Sequence, residues 1–198
     1  MPAAAVILAA GAATRMGKLK QLLPYCGKTL VEHAVEQALA AGFDPVIVVV
    51  GADADSVRAA LAARPVLLVE NSLWQLGMGS SIAAGVGALP EAQAVAILLA
   101  DQPLVEARHL REMQALLDSA DAPVVAAQYN GTLGVPALFK RELFEALRSL
   151  DPATGARALL RERAVPFPLA EAAMDIDTPE DFAALTAASA VAGVPRRT

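Results

Sequence analysis

The sequence predicts a single three-layer α/β domain with a mixed, mostly parallel sheet, and three observations carry that expectation. Short runs of Val, Ile and Leu alternate with stretches whose apolar residues recur at helical spacing, the pattern of strands joined by crossover helices. The short runs are apolar throughout, as strands covered by helices on both faces are. Late in the chain, Asn130-Gly131 separates two β-type runs and adds an antiparallel hairpin.

The elements follow in order. Strands are expected at Ala4 to Ala9, Pro45 to Val50, Val66 to Val69 and Ala94 to Leu99. Between the first two, Val31, Ala34, Val35, Ala38 and Leu39 form one apolar helix face, and Gly42 supplies its stop. Leu110, Met113 and Leu117 mark a second amphipathic helix. The hairpin pairs Pro123 to Tyr129 with Leu133 to Phe139. Near the end, Thr178, Pro179 and Asp181 read as N-cap, N1 and N3 of a helix through Phe182 and Leu185. The domain spans 1–190, and 191–198 is expected to be a disordered tail.

Composition narrows the function classes. The 198 residues are 56% hydrophobic and 19% charged, which excludes disordered, collagen-like and coiled-coil chains. No apolar run approaches the ~18 to 20 residues that cross a bilayer, so no membrane role is expected. The first residues lack a basic region and a cleavage site, and Cys26 has no partner for an internal disulfide; both fit a reducing cytoplasm. A net charge of -5 leaves no basic excess for a nucleic-acid backbone, while small phosphorylated ligands remain suitable.

Ligands of open α/β sheets sit beyond the carboxyl ends of the strands. There the first strand runs into Leu8-Ala9-Ala10-Gly11, followed by Arg15, Lys18 and Lys20. Small side chains let backbone N–H groups approach an anion that the cations neutralise, although such a loop also suits merely solvated cations. Its spacing matches neither G-x-G-x-x-G nor G-x-x-x-x-G-K-[ST]. Asp101 directly follows a strand and suits Mg²⁺, or caps the next turn. Asp175 and Asp177 flank Ile176 as either a metal site or a cap cluster. Gly77 and Gly79 permit close backbone approach, with Ser80 as a helix cap; Trp74 serves equally as packing plug or stacking surface. His33 and His109 lack metal-ligand spacing, and Cys26 has no acid-base pair beside it.

Taken together, these segments resemble the MobA-like nucleotidyltransferases, most closely the molybdenum cofactor cytidylyltransferases. The Leu8 to Pro24 segment is similar to the family's L-A-A-G-x-S-x-R-M-G-x-x-K-x-L-L-P signature. Asn71 to Ser81, Asp101-Gln102-Pro103, Tyr129 to Phe139, Gly155-Ala156-Arg157 and Asp175 to Phe182 match its later blocks in order. The resemblance implies a Rossmann-like nucleotidyltransferase fold. Leu8, Ala9, Ala10 and Gly11, with Gly77, Gly79 and Ser80, would bind the nucleotide, and Arg15 and Lys20 would hold its phosphates. Asp101 would bind Mg²⁺, with Asp177 and Asp175 approaching from the other side. The implied reaction is attack by the terminal phosphate of molybdopterin on the α-phosphorus of CTP, expelling pyrophosphate. A molybdoenzyme or its maturation chaperone is the implied partner.

Two positions depart from the pattern: Ala13 stands where the family has Ser, and Pro152-Ala153 where a Gly-Asp pair often precedes Gly155. Alternatives are a nucleotidyltransferase using GTP or another phosphorylated acceptor, a Rossmann-like oxidoreductase, and a non-catalytic cofactor-delivery protein. A loop without polar side chains would read a base only through its backbone N–H and C=O groups. Its methyl walls favour a pyrimidine, so CTP is expected over GTP.

Overall fold

The computed structural model describes residues 2–12, 19–89, 91–176, 178, 180–183 and 185. Ala13, Arg15, Lys18, Asp177, Pro179 and the 191–198 segment lie outside the described residues. Strands β1 (Ala3–Ala9), β4 (Val46–Val50), β5 (Leu67–Glu70), β6 (Ala94–Leu99), β7 (Val124–Tyr129), β8 (Thr132–Lys140) and β9 (Ala164–Pro168) form one sheet in the order β5-β4-β1-β6-β8-β7-β9. A separate small hairpin joins β2 (Pro24–Tyr25) to β3 (Lys28–Thr29). Helices among the described residues include α1 (Leu30–Ala41), α2 (Ala54–Leu61), α3 (Met78–Gly87), α4 (Ala107–Ser119), α5 (Phe144–Arg148) and α6 (Arg157–Arg163).

The central strand shows why the chain makes three layers. Every residue of β1 is buried, and alternate residues face opposite ways. Ala3, Ala5, Ile7 and Ala9 pack with Val31, Val35 and Ala38 of α1 and Leu110, Met113 and Leu117 of α4. Ala4, Val6 and Leu8 pack with Ile82 and Val86 of α3, Phe144 and Leu147 of α5 and Leu160 of α6. Burying a side chain such as Ile7 or Val6 contributes roughly 1.5 to 3 kcal/mol. Local signals agree with this packing. Thr29 Oγ1 accepts the Glu32 N–H at 3.3 Å while Glu32 accepts the Thr29 N–H at 2.8 Å, which closes a capping box on α1. Gly42, at φ +94°, ends that helix.

Three details differ from the sequence expectation. Strand β5 is present, but as a sheet edge: Leu67 and Leu68 are 56% and 36% exposed, so it is not covered on both faces. Strand β9, which carries Pro166 and Pro168, pairs in parallel with β7; a strand edge tolerates the missing N–H groups. Ser80 is not the cap of α3. That helix begins at Met78 behind Gly77, so Ser80 sits inside its first turn. The hairpin is as expected, with β8 antiparallel to both β7 and β6. Pairing between β8 and β6 ends at Ala137, beside Pro136, and the β7 ladder shifts register between Ala126 and Ala127.

Parallel pairing of β1 with β4 and β6 brings three carboxyl ends to one edge of the sheet. From β1 the order runs to β4 on one side and β6 on the other, the switch point at which such sheets open a crevice. Among the described residues no helix is long and apolar enough to cross a membrane.

Candidate active site

A cavity of about 350 Å³ occupies that crevice. Leu8, Ala9, Ala10 and Gly11 line it from the end of β1, Lys20 from the segment that follows, and Asp101 from the end of β6. Asp175 enters from late in the chain because the Ile176 N–H donates to the Asp101 carbonyl at 3.2 Å. The side chain of Asp101 is 9% exposed and forms an ion pair through Oδ2 with Lys20 Nζ. A buried carboxylate requires such a partner, because desolvation otherwise opposes its charge.

Buried polar side chains hold these segments in place. Gln21 donates from Nε2 to the carbonyls of Ala9 at 3.0 Å and Gly11 at 3.1 Å. Gln102, next to Asp101, donates to Val135 O at 3.2 Å and Ala172 O at 2.8 Å, so β6, β8 and the approach to Asp175 are tied together. Burial raises the Tyr129 phenol above its usual range, and the nearby charges of Asp175 and Asp101 push the same way. The Tyr129 phenol therefore stays neutral.

The glycine-rich segment is organised differently from expectation. Asn71 is buried and its Nδ2 donates to Ser80 Oγ at 2.9 Å and Ser81 Oγ at 3.0 Å, while its side-chain Oδ1 accepts the Leu73 N–H at 2.9 Å. Ser80 Oγ also lies 2.8 Å from the Gly77 carbonyl, so its hydroxyl is engaged within the segment. Gly77, at φ +126°, and Gly79 leave room for another part of the chain: a Cβ at either would collide with the backbone of Asp151 or Pro152, and the Gly79 N–H donates to Pro152 O at 2.9 Å. Pro152-Ala153, the departure noted in the sequence, thus docks on these glycines. Gly77 still lines the cavity with Met78 and Ser81; Gly79 and Ser80 are absent from its lining. Trp74 both lines the cavity and packs against the core.

Other candidates have structural partners. His33 Nε2 lies 3.0 Å from Pro103 O, its ring meets Tyr25 edge-on, and burial lowers its basicity. His109 Nδ1 accepts the Glu106 N–H at 3.1 Å at the start of α4. Cys26 is exposed in the β2–β3 turn. Among the described residues no three His, Cys, Asp or Glu side chains cluster to hold a metal. The structure therefore unites Leu8, Ala9, Ala10, Gly11, Lys20, Gly77, Asp101 and Asp175. The sequence reading missed Gln21 and Gln102, each a polar residue beside a candidate charge.

In open α/β sheets of this kind, nucleotides and other ligands bind at the switch point, where this chain places its cation–carboxylate pair. The MobA-like NTP transferase domain matches residues 5–167, and the chain belongs to that nucleotidyltransferase family. It is 38% identical over 170 residues to nicotine blue oxidoreductase of Paenarthrobacter nicotinovorans, covering 80% of this chain and 81% of that one. It also matches bifunctional GlmU proteins, spanning 24% of the one from Halorhodospira halophila. Among solved structures, the Methanothermobacter nucleotidyl transferase Mth528 superposes with TM-score 0.81 at 25% identity, covering 96% of this chain and 99% of that one. Rv0371c of Mycobacterium tuberculosis in complex with manganese gives TM-score 0.73 at 29% identity, covering 93% and 98%.

Proposed function

We propose that the protein transfers the cytidylyl group of CTP to the terminal phosphate of a molybdopterin-type cofactor and releases pyrophosphate. The observation that carries this reading is the Lys20–Asp101 pair in a cavity walled by the end of β1. In this reading the backbone from Leu8 to Gly11 receives the nucleotide, Lys20 leaves Asp101 to neutralise its phosphates, and Arg15 adds a second cation. An acceptor phosphate oxygen attacks the α-phosphorus and the bond to pyrophosphate breaks. Positioning and charge neutralisation do most of the work, as in phosphoryl transfer generally.

A divalent cation fits this donor set. Asp101 already carries a cationic partner in the ammonium of Lys20, and Asp175 presents a second carboxylate to the same cavity. Hard oxygen donors of this kind suit Mg²⁺, which takes one or two carboxylates and completes its shell with phosphate and water. Asp101 and Asp175, with Asp177, would hold it, and when bound it would neutralise the phosphates and polarise the α-phosphorus. The manganese complex of Rv0371c supports a divalent ion in this family.

Incubation with each nucleoside triphosphate, Mg²⁺ and molybdopterin, scored by pyrophosphate release, tests the proposal. CTP-dependent release is the expected result, with CTP outcompeting GTP at equal concentration. Release with GTP alone would discard the cytidylyl assignment and leave nucleotidyl transfer standing. The Paenarthrobacter relative, similar over most of both chains, motivates a redox reading; oxidation of a reduced nicotinamide nucleotide coupled to two-electron reduction of an added acceptor dye, without pyrophosphate release, would select it.

A further inference from the structure

The mechanism above gives no part to Gln21, a side chain only 3% exposed that lines the cavity. Its amide nitrogen donates to the carbonyls of both Ala9 and Gly11. Those two acceptors fix which branch of the amide is nitrogen, because an amide oxygen in that place would face two other oxygens. The intervening Ala10 carbonyl accepts the Ala52 N–H at 3.1 Å, and the Leu8 carbonyl accepts the Ala100 N–H at 3.3 Å. Four consecutive carbonyls at the end of β1 are therefore held by partners within the chain.

The consequence is electrostatic. A carbonyl turned into the cavity would show the negative end of a peptide dipole to a phosphate. In a planar trans peptide the C=O of one residue and the N–H of the next point in opposite directions. Tethering the Gly11 carbonyl to Gln21 thus turns the Ala12 N–H the other way. We infer that Gln21 is a positioning residue: it keeps the carbonyls of this loop away from the phosphates of a bound nucleotide, so that the loop meets the polyanion with N–H groups. The inference rests on the nucleotide reading of the cavity.

Two substitutions separate the possibilities. Gln21→Met keeps the length of the side chain and removes the donor, and Gln21→Asn keeps the amide but falls one methylene short of bridging both carbonyls. Each variant is titrated calorimetrically with inorganic tripolyphosphate and with CTP, Mg²⁺ present, well below its melting temperature. Both ligands should weaken in parallel, about tenfold in Gln21→Met, and the KM for CTP should rise more than kcat falls. Unchanged tripolyphosphate affinity in both variants overturns the inference. Loss confined to CTP also overturns it, because Gln21 would then serve the base or sugar. If Gln21→Met does not fold, Gln21→Asn carries the same comparison. A wild-type chain that binds neither ligand defeats the nucleotide reading itself, an outcome distinct from wild-type binding with unaffected variants.

Discussion

At the scale of single residues, Asp101 and Lys20 answer different questions. Asp101→Asn removes a charge at a strand end and little packing, so it should melt near the wild-type temperature while pyrophosphate release falls by about a hundredfold or more. Near-normal release from the folded variant would remove Asp101 from the reaction. Lys20→Met should act with opposite signs on two ligands. The ammonium that occupies Asp101 is gone, so Mn²⁺ binds the free protein more tightly; the phosphates lose a counter-charge, so CTP binds about tenfold more weakly. Electron paramagnetic resonance of Mn²⁺ and calorimetry of CTP read the two effects separately. Asp101 was legible in the sequence because a carboxylate directly after an apolar strand falls at the ligand edge of the sheet. Gln21 and Gln102 were not, since their partners lie at Ala9, Gly11, Val135 and Ala172, and nothing local reveals those contacts.

At the scale of elements, α1 is stabilised by chemistry that can be removed one piece at a time. Thr29→Ala breaks the capping box and should lower unfolding free energy by about 1 kcal/mol in a denaturant titration near neutral pH. Burial would raise the Glu32 carboxyl, but the bonds it accepts from Thr29 and Arg64 outweigh burial and hold it below its usual range. A carboxyl with a depressed folded value contributes stability above its unfolded value and loses it as pH falls through the folded one. The Thr29→Ala deficit should therefore narrow under acid, because the Thr29 hydroxyl also donates to the Glu32 carboxylate at 2.9 Å; a deficit independent of pH would show that this hydroxyl–carboxylate bond contributes nothing. This cap could have been read from Thr29 and Glu32 three residues apart. The start of α3 could not, because Gly77 and Gly79 answer to Asp151 and Pro152, far along the chain. In the same way β1, β4 and β6 were plain from their apolar runs, whereas the edge positions of β5 and β9 depend on strand order, which local sequence does not encode.

At the scale of the whole molecule, the described residues leave an apolar edge of the sheet in solvent at β5. Leu67 and Leu68 lie on β5, beyond which the order of strands stops. An exposed apolar edge invites pairing with other chains, and lysine on such a strand discourages it. Leu67→Lys with Leu68→Lys should leave turnover unchanged and stability within about 0.5 kcal/mol, while light scattering during thermal unfolding diminishes. Unaltered scattering would place the aggregating surface elsewhere. The contact between the Ile176 N–H and the Asp101 carbonyl bears on how the protein comes into being. The cavity draws one wall from the first strand and another from a segment near the end of the chain, so it closes only after those distant pieces have met. Pairings of such long sequence separation form late and slowly. On refolding from denaturant, the helical circular dichroism signal should recover ahead of nucleotide binding, and a nascent chain whose Asp175–Ile176 segment is still within the ribosome would carry most of the sheet without that wall of the cavity.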